Sequence, residues 1–332
     1  MSSRQGRRRR GREVNGILLL DKPVGYSSNQ ALQSAKRLFN ANKAGHTGNL
    51  DMLATGLLPL CFGHATKVCQ FLLDADKHYL SEFTFGRRTS TGDAEGETIS
   101  ERPTVGLDAA HVSAAMRRFL GVIEQVPPMH SALKKNGQPL YKLARQGLEV
   151  ERSKRQVRID NFTLEHFSDQ QATVDISCSK GTYVRTLAED VGESLGCGAF
   201  VSALRRTGAG PYQIGEALDL ETLGKISQQG GFEALDALLL PIDSALKHLP
   251  ELHLTAASAS CIEQGQAVTV NAAQAFGNVR LYDSRGDFVG VGEILADGRV
   301  EPRRLLRTHA TERQRESAPE EHKFLVAHQG RG

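Results

Sequence analysis

Asp51 stands in Gly45-His46-Thr47-Gly48-Asn49-Leu50-Asp51-Met52-Leu53-Ala54-Thr55-Gly56-Leu57-Leu58-Pro59, an acid with glycines on both sides and apolar neighbours. The flank Leu50, Met52 and Leu53 is expected to set the carboxylate against an apolar wall, where a charge is costly without a cation. An ionised carboxylate in that position can act as a nucleophile, and a nearby guanidinium favours the charged form. Asp51 equally fits a turn or cap residue that satisfies backbone N–H groups. The candidate cation is Arg185, in Ser179-Lys180-Gly181-Thr182-Tyr183-Val184-Arg185-Thr186, which follows a strand and opens a helix. Its alternative is a surface pair with Glu189, one helical turn on, contributing a few tenths of a kcal/mol.

The elements that must position these groups can be traced by period and punctuation. An apolar run at 16–20 is a strand ending in the turn 21–25. Ser27 or Ser28 caps a helix that repeats Leu32, Ala35, Leu38 and Phe39. A strand is expected at 57–62 and a helix at 65–73. Residues 78–85 alternate, with Tyr79, Phe83 and Phe85 on one strand face. A polar loop spans 87–97, and Asp108 caps a helix through Val112, Ala115, Met116 and Phe119 that stops at Gly121. Residues 126–155 form a basic, irregular insertion with a short helix near 140–146, too poor in apolar residues to be a domain. Strands 158–167 and 172–178 pair around a polar turn, a helix covers 183–195, and a strand covers 200–205. Residues 241–250 mark a boundary. Beyond it, short glycine-punctuated strands over 252–306 indicate a small β-barrel.

Composition narrows the function classes. The 332-residue chain is 39% hydrophobic, enough for real cores, and has neither an eighteen-residue apolar run nor an apolar leader, so a cytoplasmic protein without a membrane span is expected. Five cysteines, none spaced as CxxC, indicate reduced thiols rather than disulfides or zinc. No phosphate loop, dinucleotide fingerprint or HExxH motif is present. The net charge is only +3, but six of the first twelve residues are arginine. Such an arm suits phosphate, or simply solubility. With no tryptophan and 6% aromatic residues, recognition of RNA would lean on shape and charge.

Residues 45–63 with Ala65-Thr66-Lys67, the opening Leu20-Asp21-Lys22-Pro23, the loop Arg88-Thr89-Ser90-Thr91-Gly92-Asp93-Ala94-Glu95-Gly96 and residues 178–186 together resemble the TruB family of tRNA pseudouridine-55 synthases, in order over 16–307. The resemblance implies an α+β fold. A pseudouridine synthase catalytic domain on a largely antiparallel mixed sheet would occupy 13–248, with an RNA-binding thumb insertion at 126–155. A small C-terminal PUA-like β-barrel would follow at 249–307, between a disordered arginine-rich arm at 1–12 and a disordered tail at 308–332.

The resemblance also implies roles. Asp51 would be the nucleophile and Arg185 its ion-pair partner. Tyr79 would stack on the extruded uracil, Tyr183 and Leu204 would line the base pocket, His46 would fill the space left in the T-loop, and Lys22 would contact substrate. By residue type alone, Tyr79, Tyr183 and Leu204 equally fit core packing, and His46 an ordinary loop. The implied substrate is tRNA, held by its T-stem-loop, for a monomeric enzyme without guide RNA. Isomerising uridine exchanges no atoms with a second substrate, so no cofactor or metal is expected. An RNA-folding role is compatible with this activity, and a guide-RNA-dependent relative acting on ribosomal RNA is the other address considered. Three departures stand out: Met52 where the family usually has proline, His64 where it often has an acid, and Ser90 and Gly92 where it often has Asp and Ser.

Overall fold

The computed structural model describes residues 11–270 and 276–306; most of the arginine arm, the expected tail and Arg307 lie outside them. The chain divides into two compact units, Met1–Lys247 and His248–Gly332.

In the first unit the opening apolar run forms β1 (Gly16–Lys22), and Ser27 caps α1 (Ser28–Leu38) in a reciprocal box with Gln30. Then come β2 (Ala44–His46) and β3 (Thr55–Phe62). The helix expected at 65–73 is instead a 3-10 turn, Gly63–Lys67, followed by α2 (Cys69–Asp74). Next are β4 (Lys77–Phe85) and, in place of a plain loop, the hairpin β5 (Arg87–Thr89) with β6 (Thr98–Glu101). Asp108 accepts from His111 N to cap α3 (Ala109–Arg117), ahead of β7 (Gly121–Gln125). The insertion holds β8 (Lys134–Lys135), β9 (Gln138–Pro139) and α4 (Leu140–Ala144). The unit continues through β10 (Arg155–Ser168), β11 (Gln171–Cys178), α5 (Val184–Ser194), β12 (Ala199–Ala209), β13 (Tyr212–Gln213) and α6 (Leu220–Asp236).

Nine strands make one sheet in the order β1-β3-β12-β4-β11-β10-β7, with β2 on β3 and β13 on β12. Only the β3/β12 pairing is parallel, so the sheet is mixed and largely antiparallel. The junction divides two cores. Leu18, Leu20, Leu58, Leu60 and Phe62 pack under α1 and α6. Phe83, Phe162, Val174, Ile176 and Val201 pack under α3 and α5. Tyr79 and Leu204 are packed against both.

In the second unit, β14 (Glu251–His253), α7 (Ala256–Glu263), β15 (Val268–Thr269), β16 (Gly277–Tyr282), β17 (Phe288–Ile294) and β18 (Arg299–Leu305) build a five-stranded sheet ordered β14-β16-β17-β18-β15. Leu254, Ile262, Val279, Leu281, Val289 and Val300 form its buried core, and the curled sheet has PUA-like half-barrel form. Arg303 is drawn to Glu293 and Glu301.

The parallel junction depends on Gly56. Its φ is +99°, and a Cβ there would press on the Arg206 carbonyl and lie 2.8 Å from the Arg206 amide nitrogen. Gly56→Ala is expected to cost on the order of 3 kcal/mol, from strain and overpacking together. Gly215→Ala, which meets nothing within 4 Å, should be close to neutral. Urea denaturation of both variants checks this, and equal midpoints would refute it.

Candidate active site

Asp51 sits on the loop between β2 and β3, tied down along its length. Leu50 N donates to Ser28 Oγ at 2.7 Å, Gly25 N to Met52 O at 2.8 Å, and Thr47 N to Pro59 O at 3.2 Å. The Gly25 bond holds the chain just after Asp51 from outside, where no proline restrains it. The apolar wall expected from both flanks is only partly present. Leu50 is buried, but Met52 is 41% exposed, because the turn at 51–54 points it outward. The Asp51 side chain is accordingly 44% exposed.

Across the cleft, Asp51 Oδ2 lies 3.0 Å from Arg185 Nη2, and the Arg185 side chain is only 6% exposed. Arg185 does not pair with Glu189, which lies instead 3.7 Å from Arg88. Its Nη1 approaches Asp93 Oδ2 at 3.3 Å and donates to Thr91 O at 2.9 Å, while Nη2 also donates to His130 O at 2.7 Å. One buried cation thus serves a buried carboxylate and a half-exposed one. Desolvation pushes the Asp51 carboxyl above its ordinary range; Arg185 opposes this and Asp93 adds to it. The net direction is the reverse of that expected from Arg185 alone, because burial outweighs the guanidinium and Asp93 adds to it.

Tyr79 on β4 faces Arg206 on β12, and Leu204 faces Ser81, so Tyr79 and Leu204 share one face of the sheet. Burial raises the Tyr79 phenol, with Arg206 opposing. Lys22, at the end of β1, is wholly buried and donates Nζ to Tyr26 O at 2.6 Å and Pro23 O at 2.9 Å. Burial brings its pKa down to about 8, against the pull of Asp51 and Glu95, with Arg206 helping to lower it. His46, on β2, is likewise lowered by burial, and its Nδ1 has no partner among the described residues. Tyr183 precedes α5 and is clamped by Gln125 of β7, which accepts from Tyr183 N at 3.0 Å and donates to Tyr183 O at 3.3 Å.

The proposed residues fall into three linked sets: Asp51, Arg185 and Lys22 share an electrostatic cluster, Tyr79 and Leu204 share a sheet face, and Tyr183 opens the helix that carries Arg185. Asp93, Arg206, Gln125 and the His130 carbonyl were not anticipated. Asp93 lies within the quoted Arg88 motif, but an acid beside glycine looks like a turn residue. Arg206 meets Tyr79 through strand register, and Gln125 meets Tyr183 only through the fold. The insertion also reaches further inward than expected, since His130 is one of its residues. Chemically, the cleft offers a carboxylate nucleophile held by a cation, a ring for stacking and an apolar contact, a set suited to a planar base on a sugar. Among the described residues no cluster of three or more His, Cys, Asp and Glu could hold a metal, and no helix is long and apolar enough to cross a membrane.

Three family models match consecutive stretches: TruB family pseudouridylate synthase (N terminal domain) at 36–184, tRNA pseudouridylate synthase B C-terminal domain at 185–247, and Pseudouridine synthase II TruB, C-terminal, at 250–306. The chain is 57% identical over 298 residues to tRNA pseudouridine synthase B of Pseudomonas aeruginosa (strain UCBPP-PA14), covering 90% of this chain and 97% of the relative. It is 53% identical over 297 residues to tRNA pseudouridine synthase B of Stutzerimonas stutzeri (strain A1501), with the same coverage. Among solved structures it is similar to a crystal structure of a Cbf5-Nop10-Gar1 complex, with TM-score 0.66 and 26% identity over 84% of this chain and 78% of that one.

The shared cation makes opposite predictions for its two neighbours. Arg185→Met should move the Asp51 carboxyl titration to higher pH, and Asp93→Asn should move it to lower pH, as followed by NMR of carboxyl-labelled aspartate. Shifts of the same sign would refute the sharing. Arg185→Met should also destabilise the fold by about 3–5 kcal/mol, since it leaves Asp93 buried and unpaired.

Proposed function

The chain belongs to the TruB family of pseudouridylate synthases, and from that premise we propose that it isomerises uridine-55 in the T-loop of tRNA, with Asp51 as nucleophile. The observation that carries the assignment of Asp51 is its 3.0 Å approach to the buried Arg185 guanidinium at a cleft walled by Tyr79 and Leu204. A base inside a stacked loop is out of reach, so the uridine must flip out at a cost of a few kcal/mol. Stacking on Tyr79 recovers about 1–3 kcal/mol of that. Leu204 and Tyr183 then bound the pocket, Lys22 holds charge beside the nucleophile, and neutral His46 occupies the space vacated in the T-loop.

Asp51 attacks the nucleoside at C1′ or C6. The N1–C1′ bond breaks, the uracil turns within the pocket, C5 bonds to C1′, and the bond between Asp51 and the nucleoside breaks, returning the free carboxylate. C5 then gives up its proton and N1 gains one, so every atom remains within the nucleotide apart from the exchanged proton. The side chain must be ionised to begin, and its raised pKa means that activity is lost on acidification from a higher pH than for an ordinary aspartate. The protein acts as a cytoplasmic monomer, without guide RNA, and its grip on the T-stem-loop can also help tRNA refold.

Purified protein incubated with an unmodified tRNA transcript and no guide should form pseudouridine at a single T-loop position, read by chemical mapping. Asp51→Asn should lower this by at least about 10³-fold while tRNA binding and refolding persist. Modification that appears only after a guide complex is added, or at a site outside the T-loop, would overturn the proposal.

A further inference from the structure

Arg206 heads the fully buried side chains of the described residues by size, at 1% exposed. Its neighbour Arg205 is satisfied by Asp21, with Nη2 at 2.6 Å from Oδ2. Arg206 is not so provided. Its Nε donates to Leu57 O at 2.7 Å, and its Nη1 lies against Gly48, where a Cβ would come within 3.4 Å. Nη2 is buried and has no hydrogen-bond partner among the described residues. A guanidinium taken from water with a donor left open is costly, and such a group calls for an explanation.

The explanation lies across the β4/β12 ladder. Tyr79 is the direct register partner of Arg206, and its hydroxyl is within hydrogen-bonding influence of the guanidinium. Leu57 and Gly48 belong to the two arms of the segment that carries Asp51, so the anchor points of Arg206 do not depend on the tyrosine. We propose that Arg206 is a positioning residue acting through Tyr79, its open donor closing onto the phenol oxygen when the ring takes up the flipped base. Arginine has only donors, so the phenol oxygen must accept from it. The single phenol proton is then turned away from β12, toward the cleft. Arginine's planar fork can hold Leu57 O and reach the phenol together; a lysine ammonium, a point charge on a flexible stem, cannot reproduce that geometry.

The inference rests on the pseudouridine synthase activity proposed above, and turnover by the unaltered protein tests that activity separately. The inference itself is tested with Arg206→Met, Arg206→Lys, Tyr79→Phe and the Arg206→Met/Tyr79→Phe pair, each measured for tRNA dissociation constant and single-turnover rate. Both Arg206 variants should slow the single turnover by roughly 10- to 100-fold, the scale of a small misplacement, with tRNA affinity within about threefold of the unaltered protein. In the Tyr79→Phe background the same substitution should cost less than about threefold more, because the two residues form one unit. Multiplicative losses in the double variant, or affinity falling in parallel with rate, would overturn the proposal. Should Arg206→Met fail to fold, Arg206→Lys takes its place in the cycle, and full turnover by that variant would overturn it as well.

Discussion

A single positive charge, the Arg185 guanidinium, lies between two carboxylates that water treats differently. Asp93 is sealed in and has no alternative partner of equal strength, whereas Asp51 stands at the mouth of the cleft. A charge cannot be withdrawn from a sealed acid without a large penalty, so the cation cannot be given wholly to Asp51. The exposed acid is thereby held in place while its counter-ion is shared. The Thr91 and His130 carbonyls complete the cage. Four stretches of chain, namely the 47–54 loop, the turn after β5, the start of the insertion and the first turn of α5, meet at this one group.

The sheet supplies the geometry for that meeting. β12 runs parallel to β3 on one side and antiparallel to β4 on the other, so it joins the strand that follows the Asp51 loop to the strand that carries Tyr79. Tyr79 and Leu204 belong to both cores, which is why their surroundings are rigid without their being fully enclosed. Close backbone approach at the junction is possible because residue 56 lacks a side chain.

Elements with a strong period and good punctuation were legible in the residues alone. The Ser27 cap with Gln30, the alternation of β4, the β10/β11 hairpin turning through Asp169 and Gln170 at positive φ, and the stop of α5 before Gly196 all follow from local chemistry. α6 did not, since Gly224, Gly230 and Gly231 interrupt its pattern and Gly231 bends it at φ +61°. The helix expected at 65–73 breaks at Val68, where φ is −102° and ψ 0°. For the site, single residues such as Asp51 and Arg185 carry no periodic signal, and their roles came from the family resemblance. Asp93, Gln125 and Arg206 were invisible for a different reason. Asp93 meets Arg185, Gln125 meets Tyr183 and Arg206 meets Leu57 only across long stretches of chain, and no local pattern encodes such distances.

The Arg206 Nε bond to Leu57 O spans 149 positions, and Arg185 is separated from Asp51 by almost as many. During synthesis the nucleophile loop is therefore made long before its counter-ion, and longer still before the strand that pins it. A partly made chain can close its first core around α1, but it carries an acid with no cation and a ring with no wall behind it. Until β12 is made and takes its place between β3 and β4, the Asp51 loop lacks the Arg206 anchor that spans it.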